Sequence, residues 1–483
     1  MKTFKSNKMR RTNLIRIALL LASASSIGVA HGTDNKAKST IENIASPVTS
    51  QIPSVTPSIE TRSHYKDAQG NFTDVDDPAI WVSPTDKSKS LVVTTLKKGG
   101  IDVYNLQGEL LQFIAPAPAP ACENSIAKCE NKAGRFNNAD IIYNFDFNGN
   151  KVDLVVVSDR GLDKMAIYTI NENLTQVLQN VTAKTAPLIF TENQKEINES
   201  NTAYGLATAK TDKAMAFVSQ NSETRVAQLE IFDNGNGTIS YKNIANLDFP
   251  EKFTLPDNSS WTPCSDDDGE HPHFEGMVAD VENNALFLAQ EDVGIWKVKL
   301  SEPNNDKHWQ LFAKVKDYGI PYTRTWDDAE QEYACQLNHK EDKGFGNENL
   351  IADAEGLTLY DGGNGKGYLL ASSQGNNTIA LFNRAAPHQY INSFTVADGD
   401  IDAVNETDGM MVVNANLGKG FSQGVLVMQD GDNQPPKLSL AQSPTQSASH
   451  SGEQRESTNF KYVSWQEVAK ALNLPVNTHF NRH

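Results

Sequence analysis

One pattern, written six times, limits what this chain can fold into. An apolar run ends in a polar turn and resumes as a second, alternating run. It reads LVVTTLKKGGIDVYNL (91–106), VDLVVVSDRGLDKMAIYTI (152–170), KAMAFVSQNSETRVAQLEIF (213–232), ALFLAQEDVGIWKVKL (285–300), GYLLASSQGNNTIALFNR (367–384) and GVLVMQDGDN (424–433), the last resuming at NFKYVSW (459–465). Such runs, bounded by turn residues, read as paired strands. A shorter motif precedes each: DDPAIWV (76–82), NNADIIYNF (137–145), AYGLATA (203–209), FEGMVAD (274–280), AEGLTLY (354–360) and TDGMMVV (407–413). Only WQEVAKAL (465–472) has helical spacing. Six units of four strands predict an all-β, six-bladed β-propeller with a short C-terminal helix. Closure is expected to pair NFKYVSW with the N-terminal part of the ring, which leaves no free sheet edge.

In a propeller, equivalent positions of all blades point at one end of a central channel. Asp77, Glu275, Glu355 and Asp408 from the short motif are therefore expected to meet Lys97, Arg160, Glu291, Gln374 and Asp430 from the turns. Several carboxylates at close range stay ionised only when cations hold them together. A donor set made of carboxylate and amide oxygens favours Ca²⁺ over zinc or copper. Two basic residues inside an acidic ring suit a phosphate or carboxylate arriving beside the metals. Together these features read as phosphoryl chemistry.

DDPAIWV, the KKGG turn, NNAD, FEG, QEDVGIW, AEGLTLY, KGYLLASSQG, TDG, VLVMQDGDN and NFKYVSW, in that order from about Asp74 to about Leu472, resemble the β-propeller phytases. The resemblance implies a calcium-dependent 3-phytase type of enzyme that releases phosphate from myo-inositol hexakisphosphate, presented as its calcium salt. Calcium-activated water would attack directly, with no phosphoenzyme, and several catalytic and structural calcium ions would be bound. By motif, Asp76, Asp77, Glu275, Glu291, Asp353, Glu355, Gln374 and Asp408 look like calcium ligands. Lys97 and Arg160 look like a phosphate clamp, and Tyr204 like a partner of a phosphate oxygen or metal-bound water. Glu275 and Glu291 would hold the attacking water. The chain departs from the family at Gln220-Asn221-Ser222, where a Lys-Glu pair is common, and at Gln290, where an acid is common. Both departures bear on the phosphate subsites, and Arg225 could replace the missing Lys only through a strand bulge.

The ends of the chain speak to its destination. Lys2, Lys5, Lys8, Arg10, Arg11 and Arg16 precede the apolar IALLLASASSIGVA (17–30), so 1–30 read as a signal peptide and the protein as exported, either periplasmic or secreted. The formal net charge of −17 becomes more negative once those basic residues are removed. Such a surface disfavours nucleic acid and membranes. The expected partner is a small-molecule substrate, and the protein is expected to be a monomer. Residues 31–61 and 434–458 are polar and low in complexity and are expected to be flexible, so 62–475 form the propeller and 476–483 a tail. Cys122, Cys129, Cys264 and Cys335 allow three connectivities; Cys122–Cys129 and Cys264–Cys335 are the expected pairs.

Other readings compete. CENKAGR (129–135) matches the Cys-x₅-Arg loop of cysteine phosphatases, but a disulfide partner seven residues upstream argues against a reactive thiolate. SDDDGEHPHFEG (265–276), with His271 and His273, reads as a solvated loop before it reads as a metal site. A propeller stabilised by calcium without catalysis, binding a protein or glycan, is the alternative function. A calcium-dependent lactonase-like propeller fits less well, because it has no use for two clamp cations. Trp296 is assigned to blade core.

Overall fold

Residues 52–66, 73–122, 129–328, 332–434 and 456–482 are described by the computed structural model. The expected signal peptide, the segment up to residue 51 and residues 435–455 of the expected insert lie outside them. The six predicted units form six sheets. Blades one to five begin with Val75–Trp81, Phe136–Phe147, Ala203–Lys210, Phe274–Asp280 and Ala354–Gly363, and each continues outward through three more strands in chain order. Blade six runs from Met410–Val413 through Val425–Asp430 to Ser457–Ser464. Its outermost strand is Ile59–Glu60, antiparallel to Ser457–Ser464 through Ile59 opposite Tyr462. The ring therefore closes as predicted. The first strand of every blade contacts that of the next, and blade six returns to blade one.

The core lies between blades. The second strand of blade one, Leu91–Leu96, is buried throughout because neighbouring sheets cover both of its faces. That is why it reads as a continuous apolar run, whereas the outer strand Leu110–Ile114 leaves Leu110, Leu111 and Phe113 exposed. The predicted helix is Trp465–Leu472, and its Trp465 is fully buried and stacked on Tyr360 with ring centroids 4.2 Å apart. A second helix, Gln194–Glu199, is a short turn between blades two and three.

Residues 52–61 correct an expectation. Rather than a flexible leader, they hold two strands: Ser54–Val55, parallel to the outer strand Tyr390–Val396 of blade five, and Ile59–Glu60. The tail is also engaged. The Asn477 carbonyl accepts the Tyr360 hydroxyl at 2.8 Å, and Phe480 packs edge-on against Tyr143. Both expected disulfides are formed, and no free cysteine remains among the described residues. No helix among them is long and apolar enough to cross a membrane.

Candidate functional site

In five blades the first strand slips register against the second at the same place. The slips fall between Val75 and Pro78, Phe136 and Ala139, Ala203 and Leu206, Phe274 and Met277, and Ala354 and Leu357. Within the resulting bulges sit Asp76-Asp77, Asn137-Asn138, Tyr204-Gly205, Glu275-Gly276 and Glu355-Gly356. A bulge re-aims side chains that a regular strand would send to its faces. The glycines let the bulges meet: a Cβ at Gly205 would lie 2.1 Å from the Glu275 carbonyl oxygen, and one at Gly276 would lie 2.2 Å from that of Glu355. Any side chain there would force the blades apart and separate the acids.

The structure brings the expected residues into one network. Carboxylate oxygens of Glu275, Glu291 and Glu355 lie within 4.8 Å of one another, and all three residues are buried. Glu275 accepts hydrogen bonds from the Tyr204 hydroxyl at 2.6 Å and from Asn137 Nδ2 at 2.7 Å. Asn137 Oδ1 in turn accepts from Arg160 Nη1 at 3.1 Å, and that guanidinium lies over the Tyr204 ring. Lys97 Nζ is 2.6 Å from Asp408 Oδ2 and 3.3 Å from Asp76 Oδ1. Gln374 Nε2 donates to Asp408 Oδ1 at 2.6 Å, and the Ala139 N–H donates to Asp77. Asp353 lies beside the triad: its carbonyl accepts the Gln374 N–H, and the next N–H, of Ala354, donates to the Glu291 carbonyl.

The electrostatics follow from burial. Desolvation pushes the carboxyl groups of Asp76 and Asp77 well above the usual range and raises that of Asp408, while Lys97 pulls Asp76 and Asp408 back down. Burial alone would lower the Lys97 ammonium, but Asp408, Asp76 and Glu275 override it and hold its pKa well above normal. Burial also pushes the Tyr204 phenol far up, with Glu275 and Glu291 adding to the effect, so Tyr204 remains a hydrogen-bond donor. Both oxygens of Asp76 are buried and accept no hydrogen bond. That is an unusual state for a buried polar atom. Oxygens on opposite sides of one Ca²⁺ are about 5 Å apart, which the triad's spacing matches. The oxygen-only donors and the open Asp76 carboxylate thus fit calcium.

Three assignments change. Asp430 does not join the ring. Its carboxylate pairs with the buried Lys461 at 2.6 Å, and burial raises its pKa to about 6. Lys97, Arg160, Glu291 and Gln374 each follow directly on a second strand, a position that Gly431 occupies in blade six. Asp430 is the last residue of its strand, one place earlier, where the side chain points the other way. Gln290 is not part of a phosphate subsite: its amide donates to the Pro272 carbonyl at 2.7 Å and accepts from Trp296 at 2.9 Å. Trp296 itself is core, as expected. Arg225 does not replace the missing Lys, because it pairs with Asp248 across its own hairpin.

Sequence reasoning passed over several neighbours. Asn137, quoted within NNAD, links Glu275 to Arg160. His273, read as part of a solvated loop, is buried with Nε2 2.8 Å from Glu291 Oε1. Lys98, Lys132 and Arg135 gather around Arg160. Burial and Arg160 lower the Arg135 guanidinium to about 10, and burial together with these neighbours lowers Lys98 and Lys132. Among the described residues the Arg135 side chain makes one hydrogen bond, to the Lys97 carbonyl at 3.2 Å. Mutually repelling, half-buried cations have the charge that suits an anion.

The profile of the family described as Phytase matches residues 18–254 and 317–481; the stretch between them contains Glu275 and Glu291. A 3-phytase of Bacillus subtilis (strain 168) is 30% identical over 402 residues, covering 82% of this chain and 81% of its own length. A solved structure titled "Structure of U3-55K" overlays at a TM-score of 0.38 with 12% identity, covering 85% of this chain and 99% of its own. The matched stretches span most of the propeller, and the chain belongs to the phytase family of enzymes.

Proposed function

We propose that this phytase removes phosphate from myo-inositol hexakisphosphate in a calcium-dependent reaction, with water as the nucleophile and no phosphoenzyme. The observation that carries the reading is the meeting, at one end of the channel, of a buried oxygen triad with a group of half-buried cations. Asp76, Asp77, Glu275, Glu291, Asp353, Glu355, Gln374 and Asp408 would hold the calcium ions. When bound, calcium supplies positive charge beside the phosphoryl group and lets a polyanion approach an acidic protein.

The chain's own residues do the rest. Lys97 donates to Asp408 and stands 3.3 Å from Asp76, and an ammonium has three donors, so those not taken by Asp408 can meet a phosphate oxygen. Arg160 is held by Asn137 and by the Tyr204 ring and offers its fork to a second oxygen. The Tyr204 proton stays on its oxygen and fixes one side of Glu275. Glu275 and Glu291 orient the attacking water and accept its proton. Lys98, Lys132 and Arg135 would take a neighbouring phosphate of the same substrate, in place of the third-blade lysine that Asn221 replaces. Asn221 Nδ2 is turned to the Ser200 carbonyl.

The test is phosphate release from phytate by the purified protein in millimolar calcium and in excess EDTA. Release that stops on chelation and returns with calcium is expected. Release indifferent to EDTA would remove calcium from the reading. No release under either condition would leave a calcium-stabilised binding propeller.

A further inference from the structure

The imidazole of His273 touches Glu291 directly and Glu275 through Tyr204. Its side chain is 7% exposed, and Nε2 lies 2.8 Å from Glu291 Oε1. The ring packs edge-on against Tyr204, with centroids 5.3 Å apart, and Tyr204 donates to Glu275. Nδ1 faces the His271 carbonyl at 3.3 Å and Glu270 Oε1 at 3.5 Å. The loop that carries it is held at several points. Gln290 grips the Pro272 carbonyl, the Glu291 N–H donates to the His273 carbonyl, and the Cys264–Cys335 disulfide ties the loop's start to the hairpin Tyr322–Leu337.

We infer that His273 is a positioning residue: its imidazole, with Nε2 2.8 Å from Glu291 Oε1, confines that oxygen and so sets the direction in which the Glu291 carboxylate would face a calcium ion. The inference rests on the calcium reading above. A carboxylate with one oxygen held by a donor presents the other in a fixed direction, and such outer partners commonly matter about 10–100-fold in metal affinity. A hard calcium ion prefers oxygen donors, so the imidazole serves through the carboxylate rather than as a ligand. Its edge against Tyr204 keeps the Glu291 and Glu275 sides in register, and a loop pinned by a disulfide does not let the ring swing away.

The test is calorimetric titration of the full chain, stripped of metal, with calcium chloride alone. The variants are His273→Gln, whose amide nitrogen can stand near the place of Nε2, and His273→Leu, which has similar bulk and no donor. Melting in EDTA is measured alongside. We expect one calcium-binding step to weaken about tenfold or more in His273→Leu and to stay within about threefold of wild type in His273→Gln. Melting in EDTA should be unchanged for His273→Gln, which keeps the test valid even if the leucine variant folds poorly. Wild-type affinity in His273→Leu would overturn the inference, as would a His273→Gln variant as weak as the leucine one. A wild-type protein that itself takes up no calcium would overturn the functional reading and this inference with it, whereas calcium uptake indifferent to His273→Leu overturns this inference alone.

Discussion

Two buried aspartates on first strands show what separates a structural acid from one that awaits a ligand. Asp280, in blade four, is gripped through both oxygens by the guanidinium of Arg384 from blade five, at 2.6 and 2.8 Å. The same Arg384 also reaches Asp361 and Glu282, and these carboxylates hold its pKa above normal despite burial, which alone would lower it. Asp76, in blade one, is as deeply buried, but its oxygens accept no hydrogen bond, and Lys97 stands 3.3 Å from one of them. The fold can satisfy a buried carboxylate where the charge serves only to join blades. At the channel mouth it leaves the charge for something else to complete.

The comparison breaks first at the triad. Glu275→Ala should reduce phosphate release roughly a thousandfold, as expected for a group that stabilises the transition state, with melting in EDTA no lower than wild type. Near-normal turnover would place the chemistry elsewhere. Arg384→Met should do the reverse. Leaving Asp280 buried without its partner costs about 3–5 kcal/mol of stability, read by denaturant titration, while calcium affinity stays put. A loss of calcium binding in that variant would merge the two clusters.

Chelation sharpens the contrast further. Calcium at a hundred times its dissociation constant adds about 2.7 kcal/mol to wild-type stability. The pH dependence of the chelated protein should have a definite sign. Asp76, Asp77, Asp159, Asp408 and Asp430 all have pKa values raised by burial, to about 6 for Asp159 and Asp430. Between the unfolded and folded values the native state binds more protons, so the stability that Asp159 and Asp430 contribute is lost as pH rises from about 4 to about 6, and that of Asp76, Asp77 and Asp408 is lost as pH rises through their own raised values. Thermal melting in EDTA should fall as pH rises, and calcium should remove the part of the fall that belongs to Asp76, Asp77 and Asp408; melting that rises would refute the assignment. The smallest effect expected is at Arg135→Ala, which should raise KM for phytate about tenfold with kcat little changed, because it would bind a phosphate that does not react.

What the sequence made legible, and what it hid, follows from the range of each signal. Alternation and turn chemistry act over a few residues, so the blades, the helix and the motif acids could all be read. Ser54–Val55 and Ile59–Glu60 could not, because a strand of two residues has no period and their partners lie far away in the chain. His273 was hidden by its company: among Asp, Glu, His and Pro it looks solvated, and it is turned inward by distant partners, Gln290 on the Pro272 carbonyl and the Glu291 N–H on its own. CENKAGR was read rightly as a disulfide loop, but its two cations were passed over. Cys129 is a plain disulfide, while Lys132 and Arg135 of the same stretch stand in the cation group beside Arg160. Asp430 shows how a single residue of register, invisible in a repeat of uneven length, moves a carboxylate from one face of a strand to the other.

Blade six takes its outermost strand from residues 59–60 and the strand beside it from residues 457–464. Ser58 and Tyr462, 404 positions apart, are joined there by a hydrogen bond. A ribosome makes the first of these long before the second. Until synthesis passes residue 464, no propeller exists with its last sheet complete, however well the early blades form. Contacts of such separation are slow to find and close together rather than piecemeal. An unfinished or clipped chain would therefore be an open arc with raw sheet edges, recognisable to proteases and chaperones, and loss of either end should remove the whole ring rather than one blade of it.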